Sequence, residues 1–137
     1  MKRNATAVWL GTGKEGKGTL TVQSKLFTNA AYSSASRFEQ AKGTNPEELV
    51  AAAHAGCFSM KLAYLLDAAG FVAGRIETGC TVTLEEGWIT KSHLTLKAQI
   101  KGITREKFDE LVKDAEMNCP VSRSIKAEIS VEATLNE

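Results

Sequence analysis

Proline is nearly absent from this chain: 137 residues contain only two. Both stand at expected helix boundaries, Pro46 just inside a start and Pro120 just past a stop. Cysteine is scarce too, three in all, and no two form a C-x-x-C pair, which removes a thioredoxin-like dithiol and the common zinc sites. With 43% hydrophobic residues the chain can build a core and needs no disulfide scaffold. One-sided charge is missing: 17 basic side chains face 16 acidic ones, mixed along the sequence, so neither nucleic acid nor an anionic membrane is an expected partner. No apolar run follows Lys2 and Arg3, so no secretory signal is expected. The apolar stretch from Leu49 to Leu66 is interrupted by His54 and Lys61 and reads as a core helix, not a membrane span. There is no internal repeat, low-complexity segment or linker. Gly11, Gly13 and Gly16 lack Walker spacing and suit a hairpin loop, and no cofactor or metal site is expected. A single domain over residues 1–137, in the cytoplasm, is the expectation.

Thr6–Leu10 and Gly18–Ser24 predict a hairpin around the glycine loop, and Tyr32–Phe38 a short extended piece. Asn45 is a good N-cap, and Glu47 and Glu48 complement the positive helix end. The helix they begin should run to about Ala69 and stop at Gly70. Apolar or small residues surround it, so both faces need cover. Cys80, Val82 and Leu84 alternate on one strand, and Leu94, Leu96, Ala98 and Ile100 on another, with a turn near Glu86-Gly87. Thr104 caps an amphipathic helix with Phe108, Leu111, Val112 and Ala115 inward. A last strand alternates through Ala127, Ile129, Val131, Ala133 and Leu135. The fold class is α+β, an antiparallel sheet packed on a long central helix. One domain of this size struggles to bury that helix on every side, which predicts an intertwined homodimer.

Two cysteines have unlike surroundings. Cys57 lies within the alanine-rich helix, in His54-Ala55-Gly56-Cys57-Phe58-Ser59-Met60, and should be fixed and secluded. Cys119 precedes Pro120, where backbone can shift. That contrast suits an attacking thiol and a resolving thiol that close a disulfide after oxidation. A lone helical cysteine is otherwise often inert filling. Cys57 lies about three turns into its helix, too far for much help from the helix dipole. A thiolate in an apolar site needs a cation. Arg37, just before the loop that delivers the helix, is the candidate, with Glu47 as the carboxylate that clamps it; the bland alternative is a surface charge and a helix-start decoration. His54, one turn before Cys57, is either a participant or a core histidine. Cys80 should be buried and inert, and His93 exposed.

The segment Arg37-Phe38-Glu39-Gln40-Ala41-Lys42-Gly43-Thr44-Asn45-Pro46-Glu47-Glu48-Leu49, followed by Ala52-Ala53-His54-Ala55-Gly56-Cys57-Phe58-Ser59-Met60, resembles the osmotically inducible protein C (OsmC) family. That family is related to the organic hydroperoxide resistance (Ohr) proteins. Cys119-Pro120-Val121-Ser122 is similar to its second cysteine motif, and the placing of Arg37 resembles the OsmC branch. The resemblance implies a swapped α+β dimer and a two-cysteine peroxidase acting on organic hydroperoxides. In it Cys57 would be peroxidatic, Cys119 resolving, and Arg37 with Glu47 the activating pair. It also implies an external dithiol reductant, of lipoyl type. Glu47 and Cys57 are ten residues apart, roughly 15 Å along a helix axis, so either the arginine spans most of that gap or the partner subunit contributes Arg37 and Glu47, and the shared site is favoured. Phe38, Phe58, Met60 and Met117 are candidates for an apolar substrate lining. The alternatives are a redox-responsive sensor or binding protein using the same cysteine pair, and a structural dimer with inert thiols.

Overall fold

The computed structural model describes residues 1–137 as two compact units, Met1–Leu49 and Val50–Glu137. In the first, β1 (Ala5–Leu10) and β2 (Lys17–Val22) form the expected antiparallel hairpin. β3 (Ala30–Tyr32) joins the other edge of β2, giving the order β1-β2-β3. Gly18 is required where it stands, because a Cβ there would run into the rings of Tyr32 and Trp9. Those two rings are themselves tilted against each other with centroids 5.4 Å apart.

The extended piece expected over Tyr32–Phe38 ends early, and Ser34–Phe38 is a short helix, α1. The reason is local. Ser33 Oγ accepts from the Ser36 N–H at 3.1 Å and Ser36 Oγ from the Ser33 N–H at 2.8 Å, a reciprocal serine cap that favours helical over extended backbone. Ser36 Oγ also donates to the Thr44 carbonyl at 2.8 Å, which fixes the loop between α1 and the next helix.

That helix, α2 (Pro46–Ala68), begins and ends as expected. Asn45 Oδ1 accepts from the Glu48 N–H at 2.8 Å, and Gly70 takes the left-handed conformation at φ +88° that a helix stop needs. In the second unit, β4 (Ala73–Glu85) and β5 (Trp88–Ile100) form an antiparallel pair closed by Glu86-Gly87, both at positive φ. α3 (Arg105–Asn118) follows, its Thr104 cap accepting from Lys107 N–H at 3.2 Å. β6 (Glu128–Leu135) then pairs with β5.

The expectation of an antiparallel sheet needs correction here. There are two three-stranded sheets, and β6 runs parallel to β5. The helix α3 lies between β5 and β6 in the chain, and such a helical crossover returns the chain to the starting end of the sheet so that the next strand runs the same way.

The core of the second unit joins Phe58, Leu62 and Leu66 of α2 to Leu94, Leu96, Ala98 and Ile100 of β5 and to Phe108, Leu111, Val112 and Ala115 of α3. Along α2 the buried residues are His54, Phe58, Leu62 and Leu66, one every four residues, which is a single ridge of a helix. The helix is long and apolar enough by composition to cross a membrane, yet this ridge is committed to the protein core. Met60 and Tyr64, off that ridge, remain exposed and line a cleft of about 390 Å³ with Phe71 and Val72.

Candidate active site

In the second unit the structure brings the two motif cysteines together. Cys57 sits in the middle of α2, and Cys119 is the C-cap of α3, its N–H donating to the Ala115 carbonyl at 3.0 Å. Their thiols are near enough that Cys119 acts on the ionisation of Cys57. The expected division of shelter is reversed: Cys119 is fully buried, whereas Cys57 is only partly so. Pro120 ends α3, but the segment after it folds back against the core and is not slack. The Arg123 N–H donates to the Cys119 carbonyl at 3.1 Å, the Ser124 N–H to Val121 at 3.0 Å, and the Ser124 hydroxyl to Pro120 at 2.6 Å.

Burial pushes the Cys57 thiol above its ordinary range, and the Cys119 thiol beside it pushes it further the same way. Only the Val121 backbone N–H, which donates to the Cys57 sulfur, pulls it down. Val50–Glu137 therefore holds the sulfur as a thiol, and a cation must act on it for a thiolate to form at neutral pH.

In the first unit Arg37 and Glu47 form the expected pair. Arg37 Nε and Nη2 both donate to one oxygen, Glu47 Oε1, at 2.9 and 2.6 Å. The guanidinium carbon lies 5.0 Å from the centre of the Phe38 ring. The Arg37 side chain is 38% exposed and that of Glu47 15%. The pair holds the Arg37 guanidinium even more firmly protonated than usual, chiefly through the Glu47 hydrogen bond. Glu47 Oε2 is buried with no hydrogen-bond partner. Arg37 and Phe38 open onto a cleft of about 230 Å³ whose other walls include Trp9, Tyr32 and Pro46. Of the expected apolar lining, Phe38 is in that cleft, Phe58 is in the core, and Met60 and Met117 are exposed.

His54 is fully buried, with Nδ1 2.6 Å from Ser92 Oγ and Nε2 2.8 Å from Ser122 Oγ. Burial lowers its pKa. Ser92 Oγ is also 3.3 Å from Cys80 Sγ. Cys80 is thus half-buried and hydrogen-bonded, not the secluded filler expected. His93, partly exposed, bonds Ser130 at 2.6 Å. Ser92, Ser122, Val121, Trp9 and Tyr32 were not singled out from sequence. Extending the inward register of Leu94, Leu96, Ala98 and Ile100 by two residues would have reached Ser92, a hydroxyl on a buried face. Ser122 lies inside the second cysteine motif itself.

Comparison with known proteins identifies the family. Residues 39–134 match the family described as OsmC-like protein, a stretch that crosses both compact units. The chain is 42% identical to the peroxiredoxin OsmC of Escherichia coli over 97% of its own length and 96% of that protein. It is 33% identical to the organic hydroperoxide resistance protein OhrB of Bacillus subtilis over 68% of this chain and 70% of that protein. Among solved structures, an OsmC-like protein from Mycoplasma pneumoniae superposes with a TM-score of 0.77 at 16% identity, covering 100% of this chain and 99% of that one. With the family match spanning most of its length, and a capped helix carrying Cys57 and a Cys119-Pro120 stop both in their expected places, the chain belongs to the OsmC-like protein family.

Proposed function

We propose that this protein is a two-cysteine peroxidase that reduces organic hydroperoxides. The observation that carries the reading is the nearness of the Cys57 and Cys119 thiols, the second acting on the ionisation of the first, one on the middle of a helix and the other at a helix stop. The names of the E. coli and B. subtilis relatives support a peroxide substrate. The Cys57 thiolate attacks the distal oxygen of the hydroperoxide; the O–O bond breaks, and the alkoxide takes a proton to leave as an alcohol. Cys57 is then a sulfenic acid. Cys119 attacks its sulfur, the Cys119 proton leaves with the hydroxyl as water, and a disulfide remains. An external dithiol, of which lipoyl-type compounds are one class, donates two electrons to restore both thiols.

Arg37 and Glu47 supply the cation that is missing among the groups acting on Cys57 within Val50–Glu137. Lowering a thiol pKa of about 8.5 by about three units raises the thiolate fraction at pH 7 roughly thirty-fold. The accompanying loss of nucleophilicity, with a coefficient of about 0.4–0.5, returns most of that gain. The guanidinium must therefore also steady the departing alkoxide. With Nε and Nη2 bonded to Glu47, Nη1 is the nitrogen left for that role. The aromatic walls beside Arg37 suit an alkyl group, and about 0.8 kcal/mol per buried methylene gives a preference of a hundred-fold or more over hydrogen peroxide with a few carbons.

The working form in this reading is a homodimer in which Arg37 and Glu47 of one subunit serve Cys57 of the other. The ten-residue spacing of Glu47 and Cys57 on α2 supports it, as do the apolar side chains that one chain leaves uncovered on that helix, Met60 and Tyr64. A monomeric mass by sedimentation at micromolar concentration would count against it. The peroxidase itself is tested with cumene hydroperoxide and a dithiol. Cys57→Ser should abolish turnover, while Cys119→Ser should permit one oxidation per chain and then stop. Slow stoichiometric oxidation of the wild type, without turnover, would favour a redox sensor instead.

A further inference from the structure

Within Val50–Glu137 one buried titratable group is left without a role by the reaction above. His54 has no exposed surface, and its two ring nitrogens reach two different segments: Ser92 on the middle strand β5 and Ser122 on the turn that follows Cys119. A neutral imidazole donates from one nitrogen and accepts at the other. One serine therefore donates to the ring and the other accepts from it, and Ser92 passes the chain of bonds on to Cys80. No hydrogen-bonding atom of the ring is left over.

The two groups that act on the Cys57 sulfur, the Cys119 thiol and the Val121 N–H, sit on the same short turn that His54 grips through Ser122. His54 itself stands three residues before Cys57 on α2, so the same helix turn carries the attacked sulfur and the clamp. We propose that His54 is a positioning residue for the resolving step, holding the Cys119–Ser122 turn so that the Cys119 sulfur stays aimed at Cys57 once Cys57 has become a sulfenic acid. This rests on the two-cysteine reading. The step it governs forms the S–S bond, breaks the Cys57 S–O bond and releases water; no oxidant or reductant enters. Without the clamp the oxidised sulfur waits longer for its partner and is exposed to a second peroxide, which carries it to sulfinic acid.

The test separates the two half-reactions. Wild type, His54→Phe, His54→Gln and Ser122→Ala are each mixed with one equivalent of cumene hydroperoxide and quenched with acid over time. The Cys57–Cys119 disulfide is quantified by mass spectrometry, and sulfenic acid by a dimedone trap. In His54→Phe, disulfide formation should slow on the order of tenfold to a hundredfold, the range that loss of orientation produces. The first oxidation should change by no more than about threefold, since loosening the turn weakens both the Val121 contact, which lowers the Cys57 pKa, and the Cys119 contact, which raises it, and the two effects oppose each other. Ser122→Ala, which removes one hydroxyl and leaves the ring in place, should show the same split, and His54→Gln should recover part of the resolving rate. Resolution at the wild-type rate in both His54→Phe and Ser122→Ala overturns the proposal, as does an equal slowing of both half-reactions. Should His54→Phe fail to fold, Ser122→Ala decides alone. Absence of the disulfide in wild type would instead overturn the two-cysteine reading on which the proposal stands.

Discussion

Replacing Arg37 with lysine keeps the positive charge and removes the geometry, so it separates the two tasks assigned to that side chain. Arginine spends two donors on Glu47 Oε1, at 2.9 and 2.6 Å, which fixes the plane of the guanidinium and the direction of Nη1. A lysine ammonium has no fixed fork, so it cannot grip Glu47 and meet an alkoxide at a set angle. The weaker bond to Glu47 has a small effect. Arg37 is 38% exposed, and after discounting for solvent the loss is about 1 kcal/mol or less, equivalent to roughly fivefold in rate. Losing a preorganised donor to the departing oxygen costs about 3 kcal/mol, on the order of a hundredfold. The second effect decides. Steady-state consumption of cumene hydroperoxide with a dithiol should show kcat/KM of Arg37→Lys reduced about a hundredfold. The rate of Cys57 alkylation by iodoacetamide at pH 7, which reports thiolate alone, should stay within about threefold of wild type, because the charge is retained. A kcat/KM within threefold of wild type (roughly 0.6 kcal/mol) would refute the assigned role. A parallel fall in both rates would show that Arg37 acts only by ionising the thiol.

Mixed dimers of a Cys57→Ser chain and an Arg37→Ala chain should regain one working site if the site is shared between subunits; absence of peroxidase activity in the purified heterodimer would place Arg37 and Cys57 in the same subunit. For n-alkyl hydroperoxides of increasing length, kcat/KM should rise by about fourfold per methylene while the chain fits the aromatic cleft, from about 0.8 kcal/mol each, and Phe38→Ala should flatten the series. Thermal stability should fall as pH drops below about 6.5. The folded protein lowers the His54 pKa, so in that window the unfolded chain binds more protons and stability declines toward and through the folded pKa. Scanning calorimetry of His54→Gln should show a shallower decline.

Helix ends were legible because each depends on chemistry between near neighbours. Asn45, Thr104 and Gly70 act within a few residues of themselves, and each does what its type predicts. The inward sets of β5 and α3 were legible because they repeat with the period of their element. Strand direction was not. The alternation of Ile129, Val131, Ala133 and Leu135 is the same whichever way β6 runs, and only the crossover through α3 distinguishes the cases. The helix α1 was missed because the reciprocal bonds of Ser33 and Ser36 outweigh the extended preference of the preceding Tyr32. In the candidate site, Arg37 and Glu47 could be paired from charge and position. The links from His54 to Ser92 and Ser122 span 38 and 68 residues, and a serine carries no periodic signal that announces so distant a partner.

The four-residue ridge of α2 has a built-in ambiguity that its first member removes. Three of its buried residues are apolar, and Val50 would extend the same row by one more turn. Sliding the helix by one turn along that row would preserve much of its greasy contact while putting valine or phenylalanine opposite Ser92 and Ser122, stranding two hydroxyls in the interior at about 1–3 kcal/mol apiece. A polar tooth at the end of an oily rail thus sets the helix at a single depth, and with it the height at which the Cys57 sulfur meets the turn beneath it.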